Sequence, residues 1–103
     1  MQTIEVRNGT ASDVTGFTLR DPRGYGFNFG GLAPNVPRGY GGRMKVKSTD
    51  VYSATWADAT GQIHQAKVDL RKEMPDGVRG DVTFILNEDG TVSVQTRNQT
   101  TKN

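Results

Sequence analysis

VYSATWADATGQIHQAKVDL, residues 51–70, is the stretch that decides the fold. Tyr52, Ala54 and Trp56 fall on one side of an extended chain, and Val51, Ser53 and Thr55 on the other. That is the period of two expected of a half-buried strand. Asp58-Ala59-Thr60-Gly61 is turn chemistry. Ile63 to Leu70 then pairs back, with His64, Ala66, Val68 and Leu70 aligned on one core-facing stripe. A single antiparallel hairpin is thus written into one continuous run.

The same grammar repeats on both sides of it. Gln2 to Asn8 alternates, with Ile4 and Val6 inward. Asn8-Gly9 opens a turn, and Val14 to Asp21 forms a second strand, with Thr15, Phe17 and Leu19 on one side. Tyr25 to Phe29 is a short third strand that puts Tyr25, Phe27 and Phe29 on one face. From Gly30 to Arg43 no regular element is expected, with Leu32 and Val36 pinning the segment to the core. Met44 to Lys47 alternates again. Downstream, Leu70 to Glu73 suits one helical turn that Pro75 would end. Asp81 to Asn87 and Thr91 to Thr96 form a last hairpin, joined at Asp89-Gly90 by chemistry that suits a type I′ turn. Seven or eight short strands and no long helix predict an all-β, antiparallel β-sandwich of immunoglobulin-like or transthyretin-like type, with a small β-barrel as the alternative. One domain over 1–97 and a polar tail over 98–103 follow from the 103-residue length and the pattern.

Composition sets outer limits. The chain has no cysteine, so disulfides, thiolate metal sites and cysteine catalysis are excluded. Thirteen basic and eleven acidic groups give a net charge of +2, but the charge is unevenly spread. Acidic residues stop at Asp21 and resume at Asp50, and five cations lie between them (Arg23, Arg38, Arg43, Lys45, Lys47). The same stretch, Pro22 to Lys47, holds seven of the thirteen glycines, three of the four prolines and four of the eight aromatic residues. Pro-Arg-Gly-Tyr-Gly occurs there twice, at 22–26 and 37–41. A basic patch on a slightly acidic body attracts an anionic partner. No apolar run approaches the roughly 20 residues of a membrane-spanning helix.

Two readings of the repeat stand side by side. Proline presets φ and glycine permits positive φ, so each copy is good turn grammar. Each copy also presents an Arg and a Tyr, which pair with carboxylate or phosphate and stack on a partner. Basic residues interleaved with Tyr25, Phe27, Phe29 and Tyr40 match a nucleic-acid stacking platform in composition, although Phe27 and Phe29 read as core. His64, the lone histidine, belongs to a core-facing stripe and no nucleophile elbow accompanies it, which favours a structural role. Asp69, Glu73, Asp76 and Asp81 have neither the spacing of a calcium loop nor the layout of a glycosidase pair, and read as a solvated face. Asn8-Gly9-Thr10 and Asn98-Gln99-Thr100 match the glycosylation acceptor pattern, a short motif common by chance.

Ile4-Glu5-Val6-Arg7-Asn8, Phe29-Gly30-Gly31-Leu32-Ala33-Pro34 and Tyr52-Ser53-Ala54-Thr55-Trp56 together resemble, in layout, small bacterial envelope proteins, many of them lipoproteins, built of one cysteine-free β-sandwich. The resemblance implies an interaction domain without enzyme activity in the bacterial periplasm or envelope, its signal sequence removed; a cytoplasmic location is the alternative. The expectation is therefore a non-catalytic module that binds a protein partner of acidic surface and needs no cofactor. Its binding residues are Arg23, Tyr25, Arg38, Tyr40 and Arg43. An immunity or inhibitor protein that blocks a partner enzyme, or a nucleic-acid or other polyanion binder, are the alternatives.

Overall fold

A computed structural model describes residues 4–39, 46–47, 49–74 and 81–97, without the side chains of 96 and 97. It contains eight strands: β1 (Ile4–Asn8), β2 (Val14–Arg20), β3 (Gly26–Leu32), β4 (Arg38–Gly39), β5 (Val51–Ala57), β6 (Ile63–Asp69), β7 (Asp81–Leu86) and β8 (Val92–Arg97). One helical turn, α1 (Leu70–Glu73), follows β6. Asp69 caps it, accepting a hydrogen bond from the Arg71 amide at 3.0 Å. The strands form two four-stranded sheets, ordered β4-β1-β7-β8 and β3-β2-β5-β6. They do not close into a barrel; the molecule is a small β-sandwich.

The inward faces follow the alternation. Ile4, Val6, Val82, Phe84, Leu86, Val92 and Val94 from one sheet meet Phe17, Leu19, Phe29, Tyr52, Ala54, Trp56 and Val68 from the other, all buried. Across the interface the Tyr52 and Phe84 rings lie 5.3 Å apart. Phe17 stacks on Trp56 at 5.8 Å and meets Phe29 edge-on at 6.4 Å. Such contacts add to the area that each ring removes from water.

Several local expectations are corrected. β1 and β7 pair in parallel, Ile4 opposite Val82 through Asn8 opposite Leu86, within sheets otherwise antiparallel. An alternating pattern is the same for either direction, so it could not have shown this. Thr15 does not share the inward face of Phe17; Val14 does, because the register shifts where Gly16 adopts φ 62°. A bulge inserts one residue and exchanges the two faces. Gly30, with φ 70°, does the same in β3 and turns Leu32 inward after Phe29. The segment expected to be irregular from Gly30 is strand as far as Leu32 and again at Arg38–Gly39, where β4 pairs with β1. Val36 is 51% exposed and pins nothing. Tyr25 lies before β3 and is exposed. Of the strand expected over Met44 to Lys47, Val46 is buried; Met44 and Lys45 lie outside the described residues, as do Pro75 and the 98–103 tail.

Three hairpin turns share one geometry. The amide of Gly24, Gly61 or Gly90 donates to the carbonyl of Asp21, Asp58 or Asn87 at 2.9–3.0 Å. Each glycine has positive φ, 95°, 87° and 83° respectively. Asp89 does not share that conformation, so the last hairpin is a type I turn closed by a left-handed glycine, not a type I′ turn.

Candidate functional site

Strands β2 and β5 end at opposite poles of the sandwich, and each pole carries a candidate. The β2–β3 turn makes the first. Asp21 is buried, and its Oδ1 accepts the amides of Arg23 and Tyr25, both at 2.9 Å. Its Oδ2 accepts Arg23 Nε at 3.3 Å and Nη2 at 3.2 Å. That hydrogen-bonded carboxylate raises the Arg23 guanidinium further above its already high pKa. Arg20 Nη1 donates to the Gly24 carbonyl at 3.2 Å, across the pairing of Arg20 with Gly26. The turn is therefore tied from inside, and Tyr25 projects from it 66% exposed.

Arg38 is exposed on β4, opposite Val6. β4 is an edge strand and touches β3, the edge of the other sheet. From Arg38 it runs on to face Glu5, away from the Asn8 end of β1. Arg23 and Tyr25 thus share one turn, and Arg38 sits on the edge beside β3. Tyr40 and Arg43 lie outside the described residues. Arg20 was not anticipated, although it immediately precedes the turn in sequence. Of the three described aromatics proposed for stacking, Phe29 is in the core, Phe27 is partly buried against it, and Tyr25 alone is open.

The second candidate is a cleft of about 350 Å³ at the opposite pole. The loop after β1, the β5–β6 hairpin and the β7–β8 hairpin build it, with Asp13, Asp58, His64, Glu88 and Asp89 among its lining residues. The turns that shape it share one local device. Asn8 Oδ1 accepts both the amide and the hydroxyl of Thr10, at 2.9 and 2.6 Å. Asp58 Oδ1 does the same with Thr60, at 2.9 and 2.6 Å, and Asp89 Oδ1 with Thr91, at 3.0 and 2.6 Å. An Asx side chain thus holds its own turn. The signal was legible in Asn-Gly-Thr, Asp-Ala-Thr and Asp-Gly-Thr. Asn8 is fully buried and its Nδ2 is taken by the carbonyls of Ser12 at 2.7 Å and Leu32 at 3.0 Å, so the acceptor pattern there is architecture. Gly9 is required beside it: a Cβ would stand 2.8 Å from the Leu86 carbonyl oxygen.

His64 lies on the face its stripe predicts, opposite Trp56, but at the rim of the core. Its side chain is 33% exposed at the cleft and not in the core. Nε2 lies 2.7 Å from Asp58 Oδ2, and the ring stacks on Trp56 at 5.5 Å and 13°. A column His64–Trp56–Phe17 therefore runs from the cleft into the core. The hydroxyl of Thr60, then His64, then the amides of Gln62 and Thr60 hold the Asp58 carboxyl well below the usual carboxylate range. When neutral, a His64 that donates from Nε2 to Asp58 keeps Nδ1 as an acceptor. The hydroxyls of Thr10 and Thr60, which line the same cleft, are engaged by Asn8 and Asp58. Among the described residues, no group of three His, Asp or Glu is placed to hold a metal ion, and no helix is long and apolar enough to cross a membrane.

No protein-family model matches the chain, and no curated protein matches it. Among solved structures, the chain is similar to the NMR structure of a protein from Eubacterium rectale, with a TM-score of 0.57 and 16% identity, over 98% of this chain and 92% of that one. At that identity the likeness speaks for the fold alone.

Proposed function

We propose that this chain is a non-catalytic binding domain that docks an acidic protein surface through the β2–β3 turn and the neighbouring β4 edge. One observation carries the reading: Tyr25 stands 66% exposed on a turn whose backbone is locked by a buried carboxylate. An exposed aromatic held rigidly loses little freedom on binding, and Arg and Tyr dominate interface hot spots. Arg20 and Arg23 flank it at the same turn, Arg38 lies on the β4 edge, and their positive charge steers an acidic partner. The Asp21 pairing does not remove Arg23 from this role, since its side chain is 45% exposed. The periplasmic or envelope location belongs to the same proposal and is supported by the layout resemblance.

The test is affinity capture with the native chain and with a bait carrying Arg23→Ala, Tyr25→Ala and Arg38→Ala, both shown to be folded by NMR. The expected result is a protein retained by the native bait, released by salt, and lost from the variant. Identical retention by both baits would remove the turn from the binding surface.

A further inference from the structure

We propose that the acidic cleft of one molecule receives the Arg23–Tyr25 turn of a second copy, so that the chain associates head to tail. The inference rests on the reading of that turn as a binding surface, and names its partner.

The two surfaces lie at opposite ends of one strand. Val14, the first residue of β2, lines the cleft, and Arg20, the last, begins the turn. Seven residues of strand separate them by roughly 20 Å. The turn therefore cannot enter its own cleft, and contact between the two requires another molecule.

Their charges are complementary. Asp13, Asp58, Glu88 and Asp89 line the cleft, and no Lys or Arg does. Asp58 and Asp89 are engaged by the threonines of their own turns, but Asp13 and Glu88 make no hydrogen bond or ion pair among the described residues. The turn offers the opposite sign on a rigid frame, with Arg20 and Arg23 flanking the exposed Tyr25. A cleft of about 350 Å³ is at the small end for a binding pocket, and so suits a side chain or two and not a long segment. Because different patches meet, the contact is heterologous and each added molecule presents a fresh turn or a fresh cleft. The assembly is then open-ended, weak and salt-sensitive, as expected of a small charged interface.

Sedimentation velocity on the full chain tests this over a range of concentration and salt. A cleft variant, Asp13→Asn with Glu88→Gln, spares the side chains that hold the turns. A turn variant carries Arg23→Ala with Tyr25→Ala. Self-association of the native chain should grow with concentration and fade with salt, and each variant alone should associate about tenfold more weakly. An equimolar mixture of the two variants should form a complex that stops at two molecules, since only one intact turn and one intact cleft remain per pair. A native chain that stays monomeric at millimolar concentration, variants that associate like the native chain, or a mixture without the pair would each overturn the inference. If the cleft variant still captures a partner but self-association proves absent, the proposed function stands and this inference fails. If the turn variant also retains that partner, both fail.

Discussion

At one pole Asp58 gives Oδ1 to the amide and hydroxyl of Thr60 and Oδ2 to His64; at the other, Asp21 gives Oδ1 to two backbone amides and Oδ2 to the guanidinium of Arg23. The two turns have the same backbone geometry, closed by Gly61 and Gly24 with positive φ. What differs is the residue two positions after the aspartate. Threonine satisfies the carboxylate with neutral donors and leaves its charge standing. Arginine cancels the charge, and Arg20, bonded to the Gly24 carbonyl, gives the turn its net positive charge. A single turn design thus serves two surfaces of opposite sign, and the choice is made by a side chain that the fold itself does not require.

The largest effect expected is in the core behind the cleft, beneath Trp56. Phe17 is fully buried between Trp56 and Phe29, so Phe17→Ala should cost about 3–5 kcal/mol in denaturant unfolding and alter Trp56 fluorescence. Next comes a comparison of buried polar groups at the two poles. Asn8 is satisfied on every side, and Asn8→Ala would orphan the carbonyls and amide it serves, at about 1–3 kcal/mol. Tyr52 lies near Asp21 and Asp50 at the other pole, and its buried hydroxyl has no hydrogen-bond partner among the described residues. Tyr52→Phe should therefore be neutral or stabilising, within about 1 kcal/mol. A large loss in Tyr52→Phe would contradict the orphaned hydroxyl and erase the contrast between the poles.

pH should separate the poles from opposite directions. Burial, with Asp50 and Asp21 nearby, pushes the Tyr52 hydroxyl up to about 12 from 10.0. Above pH 10 the unfolded chain loses a proton that the folded chain keeps, so this contribution is complete below pH 10 and disappears as pH rises toward 12. A spectrophotometric titration should show a late tyrosine that Tyr52→Phe abolishes. Asp58 and Asp89 are held below their ordinary 3.8, chiefly by the hydroxyls of Thr60 and Thr91. Their contribution is complete above that value and is lost as pH falls through the lowered folded one. The amides of Thr60 and Thr91 should report it by NMR in acid. Both groups are solvent-accessible, so this is the smallest effect of the set.

Much of the architecture was legible from short-range pattern. The alternation of Tyr52, Ala54 and Trp56, the turns at Asp58–Gly61 and Asn87–Gly90, and the helical turn at Leu70–Glu73 all appear in place. Where a glycine shifts register, the local pattern misplaced a face, as at Thr15. At β6 the pattern gave His64 its face, where it stacks on Trp56, but not its pairing with Asp58 at the cleft. The strand is a sheet edge, so of the His64–Ala66–Val68–Leu70 stripe Val68 and Leu70 are fully buried and His64 and Ala66 partly so. The three Asx-x-Thr triplets were visible in the sequence, yet nothing local says that they converge.

Most strands and the positions of the hairpin turns were determined by the sequence alone, because alternation and turn chemistry act over two to five neighbouring residues. Partners and faces belong to the tertiary structure. It set β1 parallel to β7 and brought Asp13, Asp58 and Asp89 from three loops to one cleft. The reason is physical. A strand's own residues specify which faces want burial, but which strand lies alongside is decided by packing one whole sheet on the other, and charge collects wherever that packing brings the loops together.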